Sequence, residues 1–137
     1  MLETEFEIRV RYADTDKMQF VYNGKYLEYF EVGRTEMLRK TGFSYRQLEE
    51  SGYQLPLLDS YVRYVNYAQY DDLLLIKSRL NEIPSVKMKI NYQIFRKRDG
   101  LLVAEGYTTH AFIRTDTKKA TRVPEVFLNI IRKFFND

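Results

Sequence analysis

The chain has 137 residues, with no Cys, no Trp and a single His, His110. Disulfide frameworks, Cys-based metal centres and Cys nucleophiles are therefore excluded, and so is a zinc site drawing two or three imidazoles from one chain. The 22 Lys and Arg against 19 Asp and Glu leave a net charge of +3, well short of a nucleic-acid-binding stripe, so a catalyst built on this sequence has to work with carboxylates, tyrosines or lysines.

The N-terminal MLETEFEIRV is charged and lacks the apolar run of a signal peptide, and no later stretch is apolar for long enough to span a bilayer. A chain without Cys also suits a reducing compartment, so a cytoplasmic location away from membranes is expected. Phe6, Ile8, Val10 and Tyr12 alternate with Glu5, Glu7, Arg9 and Arg11, the period-2 pattern of a half-buried strand. The alternation breaks at Ala13-Asp14-Thr15-Asp16. Beyond Asn23-Gly24 the period changes. Tyr26, Phe30, Gly33, Met37 and Leu38 recur at helical spacing, which predicts a helix of roughly four or five turns closed near Gly42. Asn23 is a candidate N-cap, its side-chain oxygen placed to accept a free first-turn N–H.

The second half reads as strands. Tyr61 to Tyr67 is rich in Tyr and Val, Leu73 to Leu80 follows Asp71-Asp72, and from Val86 to Ile94 the residues Met88, Ile90 and Tyr92 alternate with Lys87, Lys89, Asn91 and Gln93. Asp99-Gly100 signals a hairpin into a further strand, from Leu101 to about Arg114, that is apolar on both faces for much of its length. Pro124 then opens a short amphipathic helix with Phe127, Ile130, Ile131 and Phe134, and with Arg132 and Lys133 in its last turn. No repeat, linker or low-complexity tract divides the chain, so residues 1–137 read as one domain. One long helix among these strands argues for an α+β fold, an antiparallel sheet wrapped around a central helix, rather than a doubly wound parallel sheet. One sheet face packs on the helix and the other must be covered, which predicts an oligomer.

The turn from the first strand into the helix concentrates the chemistry. It places carboxylates, Asp14 and Asp16, shortly before a helix start, where unpaired N–H groups and the positive dipole end stabilise a developing oxyanion. A carboxylate there can act as nucleophile or as a base for water, and acyl transfer needs little else. The same two residues equally suit turn formers whose side chains bond their own backbone.

The segment RYADTDKMQFVYNGKYLEYFEVGRTEML resembles the entry segment of hotdog-fold acyl-CoA thioesterases of the 4-hydroxybenzoyl-CoA thioesterase type, and RYVNYAQYDDLLLIKSRL and LLVAEGYTTHAFIRTDTKKATRVPE resemble later parts of the same family, in order. The resemblance implies a hotdog fold and a hydrolase that splits an acyl-CoA thioester into a carboxylic acid and coenzyme A, with coenzyme A as part of the substrate and with no further cofactor or metal. It implies that the second Asp of the D-T-D run, Asp16, is the catalytic carboxylate. It also implies that Asn23, seven residues on, offers its backbone N–H to the thioester oxygen. Tyr26 matches a family Tyr that lines or supports the acyl pocket. Gln19 stands where many members have Gly, so a different loop shape or a narrower pocket is expected, and Asn23 replaces the His of one branch. Tyr22 and Glu31 are further candidates for substrate contact, Glu31 because some hotdog thioesterases take a carboxylate from the central helix. Family sites lie between two subunits, so the expected partners are the acyl-CoA and a second copy of the chain, as homodimer or homotetramer, and neither nucleic acid nor membrane.

Other residues have plainer explanations. Glu31 suits an ion pair with Arg34, and His110, mid-strand, suits a hydrogen-bonded structural role. Arg63 and Tyr64 alternate as a strand would. Arg96-Lys97-Arg98 and Lys118-Lys119 with Arg122 flank turns, where charge is usually solvated, although coenzyme A carries phosphates that such side chains hold. Two alternatives to hydrolysis stay open: a hotdog protein that binds acyl thioesters without turnover, and a hotdog dehydratase, for which His110 lies in no suitable motif.

Overall fold

In the computed structural model, which describes residues 1–135, the strands are β1 (Leu2–Arg9), β2 (Tyr53–Gln54), β3 (Leu57–Tyr64), β4 (Leu73–Leu80), β5 (Lys87–Arg96), β6 (Leu101–Arg114) and β7 (Ala120–Thr121). The long strands lie antiparallel in the order β1-β4-β5-β6-β3, and the two short ones pair with the far end of β6. Leu2 pairs with Leu80 and Arg9 with Leu73, so the first strand reaches across the chain to find its partner. Three helices accompany the sheet: α1 (Lys25–Lys40), α2 (Tyr45–Glu50) and α3 (Glu125–Arg132).

Alternation decides which face is core. Leu74, Ile76 and Leu80 of β4, and Met88, Ile90, Tyr92 and Ile94 of β5, are buried on the face that α1 covers. The helix answers with Tyr26, Phe30, Gly33, Met37 and Leu38, and Phe30 lies flat on Tyr92 with ring centroids 4.2 Å apart. Gly33 sets the closeness of the approach, since a Cβ there would fall 2.5 Å from Ser78 Oγ and 2.8 Å from Ile76 Cγ2. The helix closes as its sequence predicts, with Gly42 at φ +90 directly after the last turn. At the other end α3 plugs the core with Phe127, against Phe43 and Phe112.

Several expectations are corrected. Tyr12 belongs to a 3-10 turn (Tyr12–Asp14) and is exposed, because the strand ends at Arg9; Phe6 is also exposed, as β1 is an edge strand. The strand expected from Tyr61 runs instead from Leu57 to Tyr64, and the chain then peels away, Val65 and Asn66 both donating N–H groups to the Val103 carbonyl. Gly24, not Asn23, holds the N-cap position of α1, and no side chain caps it. The chain is already turning at Tyr22, whose carbonyl accepts Lys25 N–H at 2.9 Å, so Asn23 sits inside that turn rather than ahead of the helix. The outer sheet face carries cross-strand pairs, Arg79 with Glu3 at 2.7 Å, Lys77 with Glu5 at 3.7 Å and Arg63 with Glu105 at 3.6 Å.

One polar line crosses the core. His110 Nδ1 meets the Leu55 carbonyl at 3.3 Å, Nε2 meets Thr108 Oγ1 at 2.9 Å, and Thr108 meets Tyr92 Oη at 2.6 Å. A carbonyl only accepts, which puts the imidazole proton on Nδ1, so Thr108 donates to Nε2 and Tyr92 donates to Thr108. Burial, joined by the charge of Arg34, pushes the His110 imidazole from 6.5 down to about 4. An unfolded chain takes up this proton near pH 6.5 and the folded one only near 4, so the contribution is complete above 6.5 and is lost as pH falls through that window. Chemical denaturation as a function of pH is expected to show a loss of at most about 3 kcal/mol between those limits, and a His110→Gln variant to lack that part of the slope.

Candidate active site

The connection from β1 to α1 is built on two aspartates that do different things. Asp14 is buried. Its carboxylate accepts Arg11 N–H at 3.0 Å, Arg11 Nη2 at 3.1 Å and Tyr29 Oη at 3.0 Å, with Lys25 Nζ at 3.7 Å. Burial works against its charge, but the bonds from Arg11 and Tyr29 outweigh that and hold the carboxyl below its ordinary value. Burial together with Asp14 pushes the Tyr29 hydroxyl up, so it stays a donor. The Asp14 carbonyl also accepts Tyr22 N–H at 2.8 Å, so this residue locks the loop to the helix.

Asp16 is only partly buried and is held differently. Its Oδ1 accepts Met18 N–H at 2.9 Å and Phe20 N–H at 3.4 Å, while its own N–H donates to the Phe20 carbonyl at 2.9 Å. Oδ2 has no protein donor among the described residues. One oxygen thus fixes the carboxylate and the other faces outward, as a nucleophile or base needs. Gln19 closes the turn at φ +69, with its N–H donating to the Asp16 carbonyl at 2.9 Å. The loop therefore has the left-handed conformation that Gly adopts freely, with the Gln19 side chain exposed. A Gln19→Gly variant is expected to keep the turn and to change stability by less than about 1 kcal/mol, since relief of the left-handed strain offsets the added freedom of the unfolded chain; a melting curve checks this.

Across the loop, the N–H groups of Asn23 and Gly24 have no acceptor among the described residues. They point out at the positive end of a 16-residue helix. Asn23 O accepts Tyr26 N–H at 3.3 Å and Tyr64 Oη at 3.4 Å, which ties this helix start to β3. Tyr26 is 3% exposed, edge-on to Tyr64 at 5.5 Å and to Tyr29 at 5.9 Å. Burial, with Tyr64 and Asp16 adding, pushes its hydroxyl up to about 12, so it too remains a neutral donor. Tyr22 is exposed, and its ring occupies the space a Cβ on Gly24 would need, at 2.9 Å.

The structure thus brings Asp16, Gln19, Tyr22, Asn23 and Tyr26 onto one loop and helix end. It does not bring Glu31 there: that residue is exposed and lies about 12 Å further along the helix from Asn23. Its expected pairing with Arg34 is not among the ion pairs of the described residues. His110 is buried in the core and bonds Leu55 and Thr108, with no hydrogen bond to this loop among the described residues. The cluster at the β5–β6 turn is already engaged, Arg96 with Asp99, Lys97 with Glu7 and Arg98 with Asp72. Sequence reasoning missed Asp14 as a lock and missed Phe20 and Tyr67, whose stacked rings lie behind the Asp16 turn; an Asp two positions before the candidate carboxylate and an aromatic within its turn were the only signals. Among the described residues no three metal-ligating side chains converge, and no helix is long and apolar enough to cross a membrane.

A family model described as a thioesterase-like superfamily matches residues 10–131. The chain is similar to a putative acyl-CoA thioesterase, YneP, of Bacillus subtilis, at 29% identity over 88% of this chain and 87% of that one. It is also similar to the acyl-CoA thioesterase YbgC of Haemophilus influenzae, at 33% identity over 66% of this chain and 68% of that one. Among solved structures, a DHNA-CoA thioesterase from Staphylococcus aureus superposes with a TM-score of 0.90 at 32% identity, covering 98% of this chain and 90% of that one. The sheet wrapped on one long helix, with a short C-terminal helix, is the hotdog arrangement the sequence predicts.

Proposed function

We propose, for a chain that belongs to the thioesterase-like superfamily and hydrolyses acyl-CoA thioesters, that Asp16 and the start of α1 carry the reaction. The thioester oxygen is taken up by Asn23 N–H, with Gly24 N–H beside it, as the carbonyl carbon becomes tetrahedral and negative charge moves onto that oxygen. Asp16 Oδ2 either attacks the carbon directly or removes a proton from the water that does. In both cases the C–S bond breaks, the thiolate leaves and takes a proton, and water supplies the oxygen of the carboxylic acid. The observation that supports this reading most is the pairing of an oriented carboxylate having one unoccupied oxygen with two unpaired helix-start N–H groups on a single loop. Tyr22, Tyr26 and Gln19 border that space and are read as substrate contacts.

A second copy completes the site in this reading. β3 is an edge strand, and Leu57, Leu58, Tyr61 and Tyr64 on it are all exposed within one chain. Pairing of two such edges joins the sheets and sets Tyr64 and Asn23 of each copy against the other, which makes a homodimer the working unit. Pairing of dimers into a tetramer would use the charged outer face. Coenzyme A thioesters are made and used inside cells, which supports a cytoplasmic enzyme. The test is a panel of acyl-CoA thioesters, short, long and aromatic, with release of free thiol as the readout. Tight binding without thiol release across the panel would sink the catalytic reading, and a monomer by light scattering would sink the shared site.

A further inference from the structure

We propose that Arg96 is a positioning residue for Asp16, acting through Tyr67 and Phe20; this rests on Asp16 being the catalytic carboxylate. Arg96 ends β5, and its side chain is 8% exposed, although residues 97–100 of the turn that follows are all exposed. Asp99 takes one edge of the guanidinium, Nε at 3.0 Å and Nη2 at 2.7 Å. That fork fixes the plane of the group and directs the remaining edge toward the loop between β3 and β4, where Nη1 donates to the Tyr67 carbonyl at 2.7 Å. The guanidinium also lies over the Tyr67 ring, 5.8 Å from its centroid.

From Tyr67 the contacts lead straight to the site. Its ring stacks on Phe20 with centroids 4.3 Å apart and planes at 29°. Phe20 closes the Asp16 turn, since its carbonyl takes Asp16 N–H at 2.9 Å and its N–H reaches Asp16 Oδ1 at 3.4 Å. The same loop is stitched to the turn by Val21 N–H to the Ala68 carbonyl at 2.9 Å and by the bridge between Phe20 and Gln69. The orientation of the carboxylate is thereby set from the end of β5, through the loop between β3 and β4. A purely structural need at this strand end would be met more cheaply by an apolar side chain, which carries no desolvation cost. Arg is the side chain that can hold Asp99 with one edge and the loop with the other, and Lys cannot do both.

The experiment measures kcat and KM for Arg96→Lys, Asp99→Asn, Tyr67→Phe and Tyr67→Leu on whichever thioester of the panel the wild type turns over, with melting temperatures for each and with Asp16→Asn alongside. Asp99 is on an exposed turn, so Asp99→Asn keeps the fold available even where an Arg96 variant loses it. Arg96→Lys, Asp99→Asn and Tyr67→Leu are expected to lower kcat about tenfold with KM within about twofold of wild type, because a misplaced reacting group costs turnover rather than affinity. Tyr67→Phe keeps the ring and is expected to behave as wild type. Folded variants with unchanged kcat overturn the proposal. So does a loss carried by KM, or one that only tracks the melting temperature. If Asp16→Asn retains wild-type turnover, the catalytic assignment fails and this proposal with it. If Asp16→Asn is inactive while the Arg96 and Asp99 variants are unimpaired, only the positioning role fails.

Discussion

Replacing Asp16 with Asn is expected to leave a folded protein whose kcat is lower by about a thousand-fold or more. Asn keeps the size of the side chain, and its carbonyl oxygen can still accept from Met18 and Phe20, so the turn has no reason to move. What is lost is the outward oxygen of a charged carboxylate, replaced by an amide that neither attacks a thioester nor takes a proton from water. The proposed oxyanion donors of Asn23 and Gly24 remain, so substrate binding is expected to survive. Thiol release and substrate binding measured on the same preparation separate the two. Turnover within about threefold of wild type would falsify the assignment of Asp16.

The largest expected effect on stability is at Gly106, mid-strand in β6 and paired with Val62 of β3. A Cβ there would lie 1.9 Å from the Tyr61 carbonyl oxygen and 2.9 Å from its carbon, with the Phe30 ring 3.1 Å away. The first obstacle is backbone and the second a packed ring, so neither can swing aside as a flexible side chain does. Gly106→Ala therefore has to push β3 off β6, and a cost of about 3 kcal/mol or more is expected in urea unfolding. The damage is not confined to stability. β3 carries Tyr64, the contact of the helix start, and it supplies the edge proposed to join two copies, so the variant is also expected to dissociate more readily in light scattering. A stable dimer with wild-type midpoint would contradict this account of the strand pair.

How much of this was legible beforehand depended on whether burial leaves a pattern. Leu73–Leu80 and Leu101–Arg114 are strands with the limits their sequence indicates, the first because its buried residues recur at every second position and the second because Asp99-Gly100 marks its start, and the buried side of α1 is the set read from helical spacing. β3 was misplaced because its exposure on both faces leaves no alternation to find; only its Tyr and Val content marked it. α2 buries Leu48 alone, which is too little for a periodic signal, although Ser44 and Gln47 form a capping box that sequence does encode. β2 and β7 have two residues each and exist only because β6 is long enough to pair with them. At the site, spacing and resemblance singled out Asp16 and Asn23, but they could not tell a buried carboxylate from an available one. Asp14 and Asp16 are the same residue two positions apart, and only the donors around each separate the buried lock from the carboxylate proposed to react. The role proposed for Arg96 was beyond reach for the same reason, since a basic residue beside a turn is ordinarily solvated.

The reach of β1 across the chain to β4 bears on the order in which the molecule assembles. β4, β5 and β6 are consecutive antiparallel neighbours whose loops close at little entropic cost, whereas pairing Leu2 with Leu80 must wait for a long loop to close. The Asp16 turn hangs between β1 and α1 and leans on Ala68 and Gln69, so it has no surface to fold against until that meander exists. Native-state hydrogen exchange is expected to show it: amides of β5 and β6 should open only with global unfolding, while those of the Asp16 turn exchange by a lower-energy route. A ribosome would release the Asp16 turn early and see it take shape late.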